Sequence, residues 1–512
     1  MGIFIRFSAD SSKISRQAWE AVFDEALKVA QAGKLCAVER REYDYNRYFV
    51  GVPSTPKDGY YCGRGIEITG ELETGSSMET HVIPQSLGVD TLEMGSDYSA
   101  LIKYLSEPEQ YGLKEPKLTS ILHNKTQGTR GHIWLLAMAC VFCDAFPDAT
   151  FLYGDITAGQ VYRALALAED VLGRELKLPV AFDMEVLLPR VRALAQGDEL
   201  MTARLFDKIY QGYRDEEYND FIKEQFSHDT LYTMFRAKAA NETIHGILKD
   251  WLLLDLPLRE VAQMLVSDSE GPQHSPEEFV KEILKAKLHV EDKPTYDAAH
   301  ADNHNDIPDG VDMLFSRMAA MMFGIRNWAI DRYIPLEQLK ADCVAAFGDR
   351  CDIEALFADT EAELEADEHQ KAAQDIYRRI DDEAEKRECY EIYDPEDMFD
   401  WTPGCSVDPK LLESFVRLFK QAYEVTAEIR TEFSAADQDE RIEMLIELGG
   451  MKVLLSEKRW DDIFEHVMDD DTMLRYITLF GIGWNGSGIP TMCRALLYND
   501  ELYEEVERLA LT

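Results

Sequence analysis

The spacing of apolar residues changes near residue 200, and this change limits the folds open to the chain. Before it, short apolar segments rich in β-forming residues occur between helical stretches, at 2–8, 35–38, 48–52, 65–72 and 150–153. After it, apolar residues recur almost only at helical spacing, as they do between 411 and 429. The sequence therefore predicts an α+β N-terminal region followed by a mostly α-helical remainder.

The length of 512 residues favours a multi-domain chain, since one domain takes about 150 residues. Two polar segments rich in Pro and Gly, at 290–312 and 390–408, are the predicted joints. The predicted parts are an α+β domain over 1–200, a helical domain over 201–290, an acidic helical region over 311–390 and a C-terminal helical domain over 408–512. The order of strands in the first domain does not follow from the sequence.

Acidic residues greatly outnumber basic ones. The chain has 53 Lys and Arg against 96 Asp and Glu, a formal net charge of −43. Residues 201–400 carry −24 of this, and residues 352–400 alone carry −14. Such a balance excludes a protein whose main task is to neutralise nucleic-acid phosphates or to bind an anionic membrane.

The excess charge has two main interpretations. It can be a solvated surface that keeps the protein soluble, or a docking surface for a basic protein partner. A third interpretation is mimicry of nucleic acid by rows of carboxylates. The leading functional hypothesis is a soluble acidic interaction protein that sequesters or neutralises a basic partner, or serves as a scaffold subunit.

The N-terminus and the cysteines indicate a cytoplasmic protein. The first residues lack the basic, apolar and small-residue pattern of a secretory signal, and Arg6 occupies the position at which N-myristoylation needs Ser or Thr. Nine cysteines are scattered along the chain, which is not the pattern of a disulfide framework. The longest apolar run, 133–142, is too short to cross a membrane.

A cluster of histidines and carboxylates is the strongest candidate for a metal site. His300, Asp302, His304 and Asp306 alternate with other residues, after Asp297, so in an extended segment they would point to one side. Imidazole and carboxylate are ligands for Zn or Mn. The alternative function is therefore a metal-dependent hydrolase, while the competing interpretation is a solvated acidic loop without a cofactor.

Cys140 and Cys143 form a Cys-x-x-Cys pair. A redox pair needs its first sulfur at a helix N-terminus, whereas this pair lies near the end of an apolar helix. A zinc site would need two more ligands, which His123 and His132 could supply. Packing of two small side chains in a core is the favoured interpretation.

Two further patterns have structural explanations. Gly481 to Gly486 matches G-x-G-x-x-G, but a helix precedes it and too few residues follow for a dinucleotide-binding unit, so we predict a turn between helices. Asp155, where a strand meets a helix, could bind a metal or act as a base, but Thr157 and Gln160 favour turn and cap chemistry.

A last polar set surrounds a glycine-containing turn. It comprises His81, His123, Asn124, Lys125 and His132. A His-Asn pairing is typical of some nucleases, but these residues satisfy no known spacing. Whether the chain is an enzyme is left open by the sequence.

Overall fold

The computed structural model describes residues 3–60, 63–87, 99–293, 328–366, 371–372, 375–376, 378–379, 391–392, 394–450, 453–482 and 489–512. These residues form two compact units. The first unit contains the described residues up to 180 together with those from 391 to 512, and the second contains those between 181 and 379.

A three-stranded antiparallel sheet begins the first unit. The central strand β1 (Ile5–Ala9) lies between β7 (Thr119–Leu122) and β8 (Thr150–Gly154). Three helices pack together beside it: α1 (Arg16–Ala32), α2 (Arg130–Ala145) and α3 (Ala158–Leu172).

Helix α2 is the centre of this layer because it is apolar on nearly every side. Its residues from Leu135 to Cys143 are all buried. Trp19 of α1 stacks on Phe142 of α2 with 4.3 Å between ring centroids. The Trp19 indole nitrogen also donates a hydrogen bond of 2.9 Å to the Pro84 carbonyl, and this bond fixes α1 against the end of β6, a strand of the second sheet.

The second sheet of the first unit has six strands. These are β2 (Leu35–Tyr43), β3 (Asn46–Pro53), β4 (Lys57–Tyr60), β5 (Gly63–Glu71), β6 (Ser76–Pro84) and β9 (Leu455–Ser456). Neighbouring strands are antiparallel except for β9, which pairs in parallel with β3 through Val50 and Leu455.

The short strand β9 brings the C-terminal helices onto this sheet. The helices are α13 (Pro409–Val425), α14 (Ala427–Ala435), α15 (Gln438–Gly449), α16 (Glu457–Glu465), α17 (Asp470–Phe480), α18 (Ile489–Tyr498) and α19 (Asp500–Leu511). Tyr48 and Val50 of β3 belong to the same apolar core as these helices. The Trp460 indole nitrogen donates a hydrogen bond of 3.1 Å to the Phe49 carbonyl.

Helices make up the second unit. Those described are α4 (Met184–Leu194), α5 (Glu199–Ile209), α6 (Glu216–Gln225), α7 (His228–Ala239), α8 (Ile244–Leu253), α9 (Leu258–Ala262), α10 (Pro276–Lys285), α11 (Leu336–Phe347) and α12 (Ile353–Ala366). Side-chain oxygens at Asp183, Asp198, Asp215, Ser227 and Thr243 cap five of them at the N-terminus. Trp251, Phe206 and Phe279 are fully buried in this unit.

The predicted fold class is confirmed: a region of sheets and helices precedes a largely helical remainder. The predicted domain limits stay predictions. Among the described residues, no helix is both long enough and apolar enough to cross a bilayer.

Candidate functional site

The predicted metal cluster lies outside the described residues. This applies to Asp297, His300, Asp302, His304 and Asp306, which fall within 294–327. In the part of the chain that the structure describes, no group of three or more His, Cys, Asp or Glu side chains is arranged to hold a metal ion. The hydrolase hypothesis therefore stays a prediction.

Cys140 and Cys143 are both buried in α2, as the packing interpretation predicts. Burial raises the pKa of both thiols, that of Cys143 to about 12. A thiolate is needed for redox chemistry or for metal binding, and this environment disfavours it.

The structure brings part of the predicted histidine set together. His81 on β6 is buried, and burial lowers its pKa to about 4, with His123 adding to the effect. The Lys125 backbone opposes this shift, yet neither ring nitrogen of His81 makes a hydrogen bond of ordinary geometry with a described residue.

The other members of that set have structural contacts. His132 Nδ1 lies 2.6 Å from the Thr126 hydroxyl, and the Asn124 amide donates to the Thr80 carbonyl at 2.5 Å. These contacts attach the loop before α2 to β6. The hydroxyl and the imidazole that meet here, Thr126 and His132, are both buried, so this contact does not present an exposed nucleophile beside a base.

Asp155 and Thr157 carry out the predicted turn and cap roles. Thr157 and Gln160 form a complete capping box at the start of α3. The Asp155 carboxylate accepts the Phe4 backbone N–H at 2.9 Å, next to the pairing of β1 with β8. Gly154 has a φ of +144°, and a Cβ there would lie 2.4 Å from the Phe4 carbonyl oxygen, which explains the glycine.

The glycine-containing segment at 481–486 is only partly described. The helix α17 precedes it, in agreement with the rejection of a dinucleotide-binding unit, and Gly481 ends that helix. Residues 483–488 lie outside the described part of the chain.

Sequence reasoning missed a partly buried cluster of charges in the first unit. Arg130, at the start of α2, donates from Nη2 to Asp400 at 2.8 Å. Arg130 Nη1 and Arg494 Nε are buried and have no hydrogen-bond partner among the described residues. Glu396 lies near both guanidinium groups and accepts a long hydrogen bond of 3.4 Å from Thr491.

Burial decides the electrostatics of this cluster. It raises the pKa of Glu396, although both arginines act in the opposite direction, and it lowers the pKa of Arg494. The sequence does contain a signal, because Arg494 interrupts an otherwise apolar stretch of α18 between Cys493 and Ala495. A cation at such a position needs a buried anion nearby.

Most arginines in the segment 427–512 are at least partly buried. Arg441 is buried, Arg430 stacks over the Tyr423 ring at 3.3 Å, and Arg475 donates to the Leu496 and Leu497 carbonyls. Among the described residues of 427–512, only Lys458 and Arg508 are exposed cations. Sixteen carboxylates there are exposed: Glu428, Glu432, Asp437, Asp439, Glu440, Glu443, Glu447, Glu457, Asp461, Asp462, Glu465, Asp469, Asp471, Asp500, Glu501 and Glu504. The surface is thus more acidic than the composition of this segment indicates.

Three of these carboxylates form a row on α15. Asp439, Glu443 and Glu447 follow one another at four-residue spacing, all exposed, and none forms an ion pair with a described residue. We call these three residues the acidic row. Like charges at this spacing destabilise a helix, so the row is not explained by helix stability.

Searches of protein families, curated proteins and solved structures return no match for this chain.

Proposed function

We propose that this protein binds a basic protein partner, with the acidic row on α15 at the centre of the contact. The observation that carries the proposal is the segregation of charge among the described residues of 427–512, where every guanidinium group except that of Arg508 is at least partly buried while sixteen carboxylates are exposed. Such a surface attracts cationic proteins over distances of about a Debye length.

The row has an acid-rich neighbour. Asp439 lies two residues before Arg441, whose guanidinium reaches Asp470 at the start of α17. Asp469 and Asp471 flank this position and are exposed. Their charges lie at a helix N-terminus, where the helix dipole offsets part of their mutual repulsion. The N-terminal ends of α15 and α17 therefore together support a locally high density of negative charge.

A matched pair of triple variants tests the proposal. The first removes the acidic row by Asp439→Asn, Glu443→Gln and Glu447→Gln. The control, Glu216→Gln, Asp220→Asn and Glu224→Gln, removes three exposed carboxylates with the same spacing from α6. In the control helix Asp220 pairs with Lys223 at 3.0 Å, so that row is partly neutralised already.

Binding of a labelled oligoarginine peptide is measured by fluorescence anisotropy at several salt concentrations. We expect the row variant to bind about tenfold more weakly, the control to stay within about twofold, and the affinity to fall steeply with salt. A basic protein captured by the wild type and the control, but lost with the row variant, would extend the result to a natural partner. Equal loss in both variants, or binding indifferent to salt, would contradict the proposal.

A further inference from the structure

A cleft of about 320 Å³ in the second unit carries opposite charges on two sides. One side is the loop that follows α10, and the other is a face of α12. Leu284, Val290 and Leu364 supply apolar lining. The volume lies within the range of small-molecule binding sites.

The loop side carries nitrogen groups of Lys287 and His289. Lys287 has a φ of +50°, a left-handed conformation that residues other than glycine rarely adopt. It forms no ion pair with a described residue, and burial lowers its pKa. His289 Nδ1 is buried and has no hydrogen-bond partner among those residues. In a chain of net charge −43, carboxylates far outnumber basic side chains, so two nitrogen groups that form no ion pair with a described residue are unusual.

Lys293 holds this loop in place. Its ammonium donates to the Val290 and Arg332 carbonyls, both at 2.9 Å. Backbone bonds of Ile330 to Ala286 and of Ile334 to Leu288 attach the same loop to the following segment. These hydrogen bonds hold the backbone that carries Lys287 and His289 in one position, as a binding site requires.

The helix side is anionic. Glu361 and Glu365 are one turn apart on α12, and neither forms an ion pair with a described residue. Glu363, which does not line the cleft, binds Lys281 at 2.6 Å. Glu361 is near enough to His289 to oppose the lowering of its pKa by burial. Asp292 and Lys371, one of each sign, complete the charged lining.

We propose that this cleft binds a small zwitterion with an ammonium group at one end and an oxyanion at the other. Opposite charges in one small space normally close into an ion pair, whereas Lys287, Glu361 and Glu365 line this cleft and form no ion pair with a described residue. A ligand whose ammonium meets Glu361 and Glu365, and whose oxyanion meets Lys287 and His289, would satisfy both sides. This site belongs to the second unit and is independent of the proposed partner surface on the first.

The test measures, by titration calorimetry, the binding of linear ω-amino acids of increasing length to the full chain. Length-matched alkylamines and alkanoic acids carry one charge each, and aminoalkyl phosphates replace the carboxylate by phosphate. We expect one chain length to bind best, and to bind about tenfold more tightly than either singly charged compound. The phosphate and carboxylate series then identify the preferred oxyanion.

Three single variants locate the site. Glu361→Gln, at an exposed position, and Lys287→Gln should each weaken the best ligand about tenfold. The control, Lys249→Gln, removes an exposed lysine of α8 in the same unit and should change nothing. Absence of binding in both zwitterion series, equal affinity for a singly charged compound, or equal loss in the control would overturn the proposal.

Discussion

The guanidinium of Arg441, which is almost fully buried, lies 2.6 Å from the half-exposed carboxylate of Asp470. Arg441 also donates to the backbone carbonyls of Ser434, Ala436 and Val467, at 2.9 to 3.2 Å. One side chain thus donates hydrogen bonds both to carbonyls at the C-terminal end of α14 and to a carbonyl in the loop between α16 and α17. Arg441 therefore fixes the start of α15, where the acidic row begins.

Replacement of this side chain should be costly. Arg441→Met leaves three carbonyls without their donor, and we expect the free energy of unfolding to fall by about 3 kcal/mol. Urea denaturation measures this change. The control is Arg508→Met, which removes an exposed pair with Glu505 and should have no measurable effect. An equal effect in both variants would show that Arg441 has no special structural role.

The buried His81 should make the protein less stable in mild acid. Its pKa is about 4 in the folded chain, against 6.5 for a free histidine, because burial and then His123 disfavour its charged form. Between these two values the unfolded chain binds more protons than the folded chain. Stability from this group is therefore fully present above pH 6.5 and is lost as the pH falls to 4, by about 3 kcal/mol in total.

Denaturation curves at a series of pH values test this prediction. His81→Leu removes the titrating group and should reduce the loss of stability in acid by that amount. His466→Gln is the control, because the Asp462 backbone carbonyl raises the pKa of this exposed histidine. A group with a raised pKa stabilises the folded chain at low pH, so its removal should not reduce the loss in acid. A His81→Leu variant with an unchanged pH profile would contradict the prediction.

Local patterns predicted most of the fold. The apolar run around residues 132–144 is indeed a buried helix, and Gly33 ends α1 as expected. The apolar periodicity over 230–254 is that of one long helix, whereas the structure has two, because Thr243 caps a new helix after α7. Val425 belongs to the apolar pattern between 411 and 429 but is exposed, since α13 ends there. Such breaks depend on tertiary contacts that periodicity does not contain.

Long-range pairing could not be predicted in the same way. Strand β9 has only two residues, and its pairing with β3 joins positions 405 residues apart in the sequence. The charge cluster around Arg130 and Arg494 likewise draws on separate segments. The excess of carboxylates was evident from composition, but the partial burial of the arginines is a property of packing alone.

Five buried thiols should be unreactive in the folded protein. These are Cys36, Cys140, Cys143, Cys343 and Cys493. Burial raises the pKa of each one, so at about pH 8 almost no thiolate is present and a reagent has no access. Alkylation followed by mass spectrometry should label Cys351 and Cys405, which are partly exposed, before these five. Unfolding in urea should make all nine cysteines equally reactive, whereas rapid labelling of Cys140 in the folded state would contradict the packing interpretation.

Glu396 and Arg494 should be energetically coupled. Burial disfavours the charged form of each, and the opposite charge of the other partly offsets this cost. We therefore expect Glu396→Gln and Arg494→Met each to lower the free energy of unfolding, by about 2 kcal/mol, because each removes an opposite charge that offsets the cost of burying the other. The double variant removes both charges, so its loss should be smaller than the sum of the two by about 1 kcal/mol or more. Urea denaturation of the four proteins gives this coupling, and strictly additive losses would show that the two groups do not interact.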